Sequence, residues 1–376
     1  MWDSVIGQHR VKDILTSALR ARRLPHAYLF VGNEGIGKDA MALELARVLH
    51  CESGLDEACG ICRACLKTKK LQHADVAFIT ALPVGKNEKS DDGPLDKLTA
   101  AEIETIQEQY SLKAENPYHR VAIAKATTIK INSIREVRRA SALSTLYHGK
   151  KIFIISNADE MGIDASNTIL KTLEEPSGDT LLILTTSRPE ALLPTIVSRC
   201  QVVRFDPLTE NEIREALVNR ERLDMAQALL VARLANGSYI RALELLQSDI
   251  AELRKDVVEF VRTVLGNNFL ALSAHVDKLA AARDRDAVVR FLTLLMMWFR
   301  DAFVLVRGGA IINMDQQEDL KRFTAKFARS NLDGAIAATD ACISLIGKNG
   351  YIPLSLLQLS VRLRRLILEH HAQTTS

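Results

Sequence analysis

Residues 32–39, Gly32-Asn33-Glu34-Gly35-Ile36-Gly37-Lys38-Asp39, decide the fold class of this 376-residue chain. The apolar run His26–Val31 precedes them and a helical pattern to about His50 follows, which is the strand–loop–helix context of a phosphate-binding P-loop. In such a loop, backbone N–H groups at a helix N-terminus surround the phosphates, and the lysine adds positive charge. Gly32, Gly35, Gly37 and Lys38 are therefore the candidate nucleotide-binding residues.

The candidate site departs from an ATPase site at two places. Asp39 stands where a Ser or Thr hydroxyl normally holds magnesium, so its carboxylate would lie close to the phosphates. The apolar run Lys151–Ile155 should end in an acidic pair, but Ser156-Asn157 follow it, and neither side chain can act as a general base. Asp159 comes two residues too late for the strand tip. These defects predict that ATP and Mg²⁺ bind weakly or not at all, and that the chain does not hydrolyse ATP.

The rest of the first half indicates a doubly wound parallel sheet. Compact apolar runs at Val121–Ala124, Lys151–Ile155 and Leu181–Thr185 are typical of strands that are covered on both faces. Helical patterns at Ser133–Leu143 and Asp164–Glu175 lie between them. This alternation predicts an α/β domain over residues 1–206, with ligands at the carboxyl ends of the strands.

Residues 83–119 interrupt the alternation, and we interpret them as an insertion. Their first part, 85–94, is charged and rich in turn residues, which predicts an exposed loop. A helix is expected from Thr99, with Glu102 completing a capping box. After Pro207 the pattern is helical throughout, which predicts a small three-helix domain at 207–249 and a larger helical bundle at 250–376.

A cluster of cysteines follows the P-loop helix. Cys51, Cys59, Cys62 and Cys65 have the spacing C-x₇-C-x₂-C-x₂-C, which allows four thiolates to close a tetrahedron around a structural Zn²⁺. An iron–sulfur cluster is the main alternative. Four clustered cysteines of six in the chain favour metal over disulfides in a reducing compartment.

Composition and charge narrow the class of protein. A net charge of +3 is too small to predict nucleic-acid binding, and the apolar run 291–299 is too short to span a membrane. The first residues lack the basic and apolar regions of a signal peptide, so we expect a cytoplasmic protein without membrane contact.

Several strings of residues together resemble one known family across roughly residues 3–247. They are Val5-Ile6-Gly7-Gln8, His26–Phe30, the cysteine cluster, His73–Val76, Asn167–Pro176, Thr185-Thr186-Ser187, Ser198-Arg199-Cys200 and Gly237-Ser238. With them the chain resembles the bacterial clamp-loader subunits of the AAA+ family, and among these the delta-prime type of DNA polymerase III.

The resemblance implies a heteropentameric loader that opens the ring-shaped sliding clamp and places it on primed DNA. Its gamma or tau subunits would hydrolyse ATP, with delta as a further partner, and this chain would be a non-hydrolysing member. Arg199 would act as an arginine finger in trans at a neighbour's ATP site. Residues 207–249 would be the lid domain and residues 250–376 the collar that holds the pentamer together. Arg241 lies one position later than the sensor-2 arginine of the motor subunits.

Two alternatives stay open on the sequence. The chain could be an active ATPase of the gamma/tau type, which would need a substitute for the missing carboxylates, with Asp159 as the candidate. It could also be a zinc-stabilised scaffold outside replication, although the Ser198-Arg199-Cys200 string argues against that.

Overall fold

The computed structural model describes residues 2, 4–54, 57–89, 92–143, 145, 149–176, 179–247, 250–281, 285–309, 311, 316–327, 330–347 and 350–372. The chain divides into two compact units, Met1–Leu243 and Glu244–Ser376. The finer division at residues 206 and 249 stays a prediction.

The first unit contains the strands and the helices that cover them. Its described strands are β1 (Ala27–Val31), β2 (Val76–Ile79), β3 (Lys151–Ile155), β4 (Thr180–Thr186) and β5 (Gln201–Arg204). Its helices are α1 (His9–Arg20), α2 (Lys38–His50), α3 (Arg63–Lys69), α4 (Ala100–Glu115), α5 (Ile131–Ser141), α6 (Ile163–Glu174), α7 (Pro194–Val197), α8 (Glu210–Glu221) and α9 (Met225–Leu234). Helix α10 (Tyr239–Gln247) begins in the first unit and crosses the boundary after Leu243. Helices and strands alternate as the sequence predicts.

The described strands form one parallel sheet in the order β2-β3-β4-β1-β5. All residues of β1, β3 and β4 are buried, which explains their continuous apolar composition. The carboxyl ends of these strands meet at one edge of the sheet, where the P-loop follows β1. The predicted α/β fold class, with a helical region after it, is confirmed.

One predicted strand is wrong. Residues 121–124 are not a strand; the backbone N–H of Ala122 donates to the Gln109 side chain, and Ile123 packs against the apolar cluster of the insertion. The short strand β2, which sequence analysis did not identify, forms the edge of the sheet beside β3. Four residues carry too weak a periodic pattern to separate a strand from a loop.

The insertion is folded onto the edge of the sheet. The predicted capping box of α4 is present, with Thr99 and Glu102 bonded reciprocally. Ile106 of α4 is buried with Leu82 and Leu98. The preceding loop exposes Lys86 as expected, whereas residues 90 and 91 of the predicted loop lie outside the described residues.

The Glu88 side chain is buried, although it lies in the loop that was expected to be exposed. It accepts hydrogen bonds from Lys130 Nζ at 3.0 Å and Asn132 Nδ2 at 2.8 Å, and the Glu88 and Lys130 side chains are only 6% and 5% exposed. This ion pair fastens the loop to the start of α5.

The second unit is helical over its described residues, as predicted. It comprises α11 (Ile250–Leu265), α12 (Phe269–Ala281), α13 (Arg285–Val306), α14 (Gln317–Lys326), α15 (Leu332–Gly347) and α16 (Ile352–Ala372). Its core contains edge-to-face aromatic pairs, such as Phe260 with Phe291 and Trp298 with Phe323. None of the described helices is both long enough and apolar enough to cross a membrane.

Replacing Thr99 with Ala should destabilise the first unit by about 1 kcal/mol, because the first turn of α4 loses the side-chain acceptor for the Glu102 N–H. Urea unfolding at neutral pH measures this change. Thr105→Ala, on the exposed face of the same helix, is the matched control and should change the free energy of unfolding by less than about 0.5 kcal/mol. Equal effects of the two variants would contradict the capping role.

Candidate functional site

The P-loop has the backbone conformation that its glycines allow. Gly35 and Gly37 have φ values of 78° and 101°, and a Cβ atom at Gly37 would lie 2.7 Å from the Tyr118 hydroxyl. Gly37 is the N-cap of α2, so the loop ends at a helix N-terminus as the motif requires. The loop therefore keeps the geometry of a phosphate-binding turn.

The P-loop lysine is bonded to its own loop. Lys38 Nζ donates to the carbonyl oxygens of Gly32 at 2.7 Å and Asn33 at 2.6 Å, and the residue is 7% exposed. Burial lowers the pKa of Lys38 from its ordinary value, against the opposing effect of nearby carboxylates such as Asp39. The ammonium group thus satisfies its donors within the loop.

Asp39 joins the tips of two strands. Its carboxylate accepts hydrogen bonds from Ser156 Oγ, just after β3, and from Thr185 Oγ1 on β4, each at 2.8 Å. Sequence analysis expected this carboxylate beside the phosphates, and the structure adds that both its oxygens are engaged by protein donors. The parallel sheet brings the three residues together because all lie at its carboxyl edge.

Lys113 of the insertion completes the cluster. Its Nζ atom lies 2.8 Å from Asp39 Oδ2 and donates to the His119 carbonyl oxygen at 3.0 Å. The Lys113 and Asp39 side chains are 3% and 20% exposed. Burial acts to raise the pKa of Asp39, but the charge and hydrogen bond of Lys113, with those of the two hydroxyls, outweigh it and hold the pKa below its usual value.

Lys113 is the site residue that sequence reasoning missed. It lies 74 positions from Asp39, and its own neighbours carry no motif. The topology could have indicated that Lys113 lies near Asp39, because the insertion begins at the carboxyl end of β2, beside the P-loop edge of the sheet. Because β2 was not recognised as a strand, that proximity was not predicted.

Asp159 and Glu160 do not replace the missing acidic pair. The carboxylate of Asp159 accepts from Thr186 Oγ1 at 2.6 Å and pairs with Arg188 Nη2 at 2.8 Å. Burial raises the pKa of Glu160, and the neighbouring charge of Asp159 raises it further. The two-residue offset from the strand tip therefore directs Asp159 into a pairing with Arg188.

Little space remains at the loop. The cavity there measures about 50 Å³ and is lined by the P-loop, Lys113, Tyr118, Ser156 and Ile240. Cavities that enclose nucleotide-sized ligands are roughly 300–1,000 Å³. Arg241, the sensor-2 candidate, follows Ile240, and its backbone N–H donates to Ser238 Oγ.

The four clustered cysteines come together as predicted. Their Sγ atoms all lie within 4.8 Å of one another, close to the roughly 3.8 Å separation in a tetrahedral site with Zn–S bonds of about 2.3 Å. Cys51 follows α2, Cys62 is the N-cap of α3 and Cys65 lies in its first turn. Backbone N–H groups of Cys59, Cys62 and Cys65 point at the sulfurs of Cys51, Cys59 and Cys62 at 3.2–3.4 Å. This donor set fits a metal ion.

Arg199 lies apart from the P-loop, between α7 and β5. Its guanidinium donates to the Thr195 carbonyl oxygen at 3.0 Å and pairs with Glu174 at 2.8 Å, and the two side chains are 35% and 48% exposed. Such an exposed ion pair contributes roughly 0–1 kcal/mol, so the arginine can exchange this partner for another anion.

The strand order and the loop after β1 are those of a P-loop protein of the AAA+ type, and the four cysteines form a candidate metal site. The family model described as "DNA polymerase III, delta subunit" matches residues 7–209, more than half of the chain. The chain belongs to this family.

Individual relatives agree with the family. The delta' subunit of DNA polymerase III from Bacillus subtilis (strain 168) is 28% identical over 335 residues, which are 88% of each chain. The delta' subunit from Pseudomonas aeruginosa is 32% identical over 250 residues, 65% of this chain and 63% of that one. The tau subunit from Bacillus subtilis is 27% identical over 256 residues, 66% of this chain and 38% of that one.

Among solved structures, a gamma subunit-related protein from Thermotoga maritima superposes with a TM-score of 0.40 at 15% identity, covering 94% of this chain and 99% of that chain.

Replacing Asp39 with Asn should destabilise the protein by about 3 kcal/mol at neutral pH, because Lys113 is left as a buried charge without its counter-ion. The native pKa of Asp39 lies below 3.8, its value in the unfolded chain, so its stabilisation is fully present above pH 4 and is lost as the pH falls through the native pKa. The difference between the two proteins should therefore shrink in acid.

Urea unfolding at a series of pH values between about 7 and 3 tests this expectation. Glu115→Gln, an exposed carboxylate on α4, is the control and should change stability by less than about 0.5 kcal/mol. A difference between Asp39→Asn and the original chain that stays constant down to the lowest pH would contradict the assigned pairing.

Proposed function

We propose that this chain is a non-hydrolysing subunit of the bacterial DNA polymerase III clamp loader, which helps to place the sliding clamp on primed DNA. Its partners would be the gamma/tau and delta subunits, the clamp and, through the complex, the primed DNA, in the cytoplasm. The delta-subunit family match and the delta' relatives support this assignment. Residues 207–249 would be the lid and residues 250–376 the collar of the pentamer.

The observation that carries the non-hydrolysing role is the hydrogen-bonded cluster of Asp39, Ser156, Thr185 and Lys113. Hydrolysis needs a magnesium ion held at the loop and a base that activates water. Here the magnesium position carries an ion pair between protein groups, and Lys38 is bonded to loop carbonyls. A gamma/tau-type ATPase would need Asp159 as a substitute, and Arg188 and Thr186 already engage it.

Arg199 is the residue that this subunit would contribute to catalysis. It lies in the Ser-Arg-Cys string, away from the chain's own P-loop, and its exposed pairing with Glu174 holds the guanidinium at the surface. In the proposed role it leaves Glu174 and contacts the γ-phosphate of ATP bound by the adjacent subunit. A guanidinium there stabilises charge that develops on the transferred phosphoryl group.

The four-cysteine cluster would hold a structural Zn²⁺. The sulfur separations suit a single tetrahedral ion, and four thiolates leave no open position for chemistry. Zinc would fix the segment between α2 and α3, most of whose described residues are exposed. An iron–sulfur cluster would use the same ligands, so metal analysis distinguishes the two.

Arg199→Ala should lower turnover at the ATP site that it faces by about 10³-fold or more, and should reduce clamp loading, in the reconstituted complex. Assembly should be unaffected, because the Arg199–Glu174 pair is exposed. The measurements are clamp- and DNA-stimulated ATPase activity at saturating ATP, and size-exclusion chromatography of the complex.

Two further variants make this test specific. Arg199→Lys keeps the charge but loses the planar two-pronged donor, so it should restore little activity. Arg204→Ala, an exposed arginine on β5, is the matched control and should behave like the original chain. Unchanged ATPase activity and loading with Arg199→Ala would exclude the finger.

Cys62→Ser should abolish stoichiometric metal binding and destabilise the first unit, because three thiolates hold zinc less tightly than four. Elemental analysis of the purified chain should give about one zinc per chain, and none or little in the variant. Cys200→Ser, outside the cluster, should keep the full metal content. Iron in place of zinc, or the same zinc content in both variants, would contradict the assignment.

A further inference from the structure

We propose that the insertion, residues 83–119, is a built-in substitute for the magnesium–nucleotide complex: Lys113 takes the place of the cation and Tyr118 occupies the cleft between the P-loop and α10. This inference deepens the proposed non-hydrolysing function and rests on it. It assigns a role to a segment for which the family strings gave none.

The oxygen ligands of a cation site are still present, but in exchanged positions. The motif requires a hydroxyl at position 39 and a carboxylate at the β3 tip; this chain has the carboxylate at Asp39 and the hydroxyl at Ser156. The two side chains are hydrogen-bonded at 2.8 Å, so a negatively charged, oxygen-rich position persists. Lys113 Nζ, at 2.8 Å from Asp39, supplies the positive charge there.

Tyr118 fills the cleft between the P-loop and α10. It is 2% exposed, and its hydroxyl lies close to Gly37 and accepts from the Ile6 N–H at 2.8 Å. Its ring packs edge to face on Tyr239 of α10, with centroids 5.1 Å apart. One side chain therefore connects the N-terminal segment, the P-loop and α10, and the remaining cavity is about 50 Å³.

The insertion is anchored on both sides of the cleft, so the closure is a part of the fold. The buried Glu88–Lys130 pair and the Leu82, Leu98 and Ile106 cluster hold its first half against α5 and the sheet edge. At the mouth of the cleft, Arg120 pairs with Glu34 of the P-loop at 3.2 Å. Opening the site would expose apolar surface and separate the buried Glu88–Lys130 pair, and both changes cost free energy. A mobile lid, in contrast, is held closed by few such contacts.

The test compares magnesium-dependent nucleotide binding by the full chain and by two variants. Asp39→Thr/Lys113→Ala/Tyr118→Ala restores the motif hydroxyl, removes the ammonium group and vacates the cleft; Lys86→Ala, an exposed lysine of the same insertion, is the matched control. Binding is followed by the anisotropy of a fluorescent ADP with Mg²⁺. The original chain and the control should show no saturable binding up to about 1 mM, and the combined variant should bind with a Kd of about 100 μM or below, at least tenfold under that limit.

A second measurement decides the question even if the combined variant does not fold. Hydrogen exchange of the original chain is recorded with and without about 1 mM Mg·ADP. A site with a Kd of about 1 μM would be saturated at this concentration of about 1 mM, so its amides would be measurably protected. We expect no added protection of the P-loop or α10 amides. In Tyr118→Ala, both segments should exchange faster, because the side chain that connects them is gone.

Saturable Mg·ADP binding by the original chain, or added protection of its P-loop, would overturn the inference, as would unchanged exchange in Tyr118→Ala. These readouts use the isolated chain and do not involve Arg199. A failure here would therefore leave the clamp-loader role standing, and a failure of the Arg199 experiments would leave this inference standing.

Discussion

The half-buried carboxylate of Asp39 is the constraint on which the first unit depends. A charge at the carboxyl edge of a parallel sheet is costly unless it is paired and hydrogen-bonded. Asp39 meets that requirement with donors from β4, from the end of β3 and from the insertion. The same side chain that removes the magnesium hydroxyl therefore fastens the P-loop helix, two strand tips and α4 to one another.

The pattern of charges supports the proposal that the nucleotide site is closed and not only weakened. Lys38 and Lys113 both lie at the loop, and each is bonded to protein oxygens: Lys38 to carbonyls, Lys113 to Asp39 and a carbonyl. A triphosphate would have to displace both ammonium groups from these partners and also expel Tyr118. The cost of breaking these hydrogen bonds would offset part of the free energy gained from contacts with the phosphates.

Residue spacing and periodicity within short segments predicted those elements whose structure depends mainly on their own residues. The P-loop, β1, β3, β4, the α4 capping box and the cysteine cluster follow from spacing and periodicity within a few residues. The Asp39–Lys113 pair and the placement of Tyr118 on Tyr239 do not, because they join segments 74 and 121 residues apart. The error at residues 121–124 and the missed strand β2 have the same origin, since four-residue apolar runs become strands only where the sheet offers them an edge.

The closed site and the exposed arginine suit a subunit that stabilises its neighbour's chemistry without a nucleotide cycle of its own. A bound nucleotide would make the position of α10 relative to the P-loop depend on whether ATP, ADP or neither is present. Here Tyr118 packs on Tyr239, and the Tyr239 N–H donates to the Gly35 carbonyl oxygen at 2.9 Å. In the proposed role these two contacts fix the position of α10 without a ligand. Arg199 is carried by the same unit, between α7 and β5. In the proposed role, a guanidinium on a unit of fixed shape needs no reorganisation as the adjacent site reaches its transition state, and such preorganisation is the main source of electrostatic catalysis.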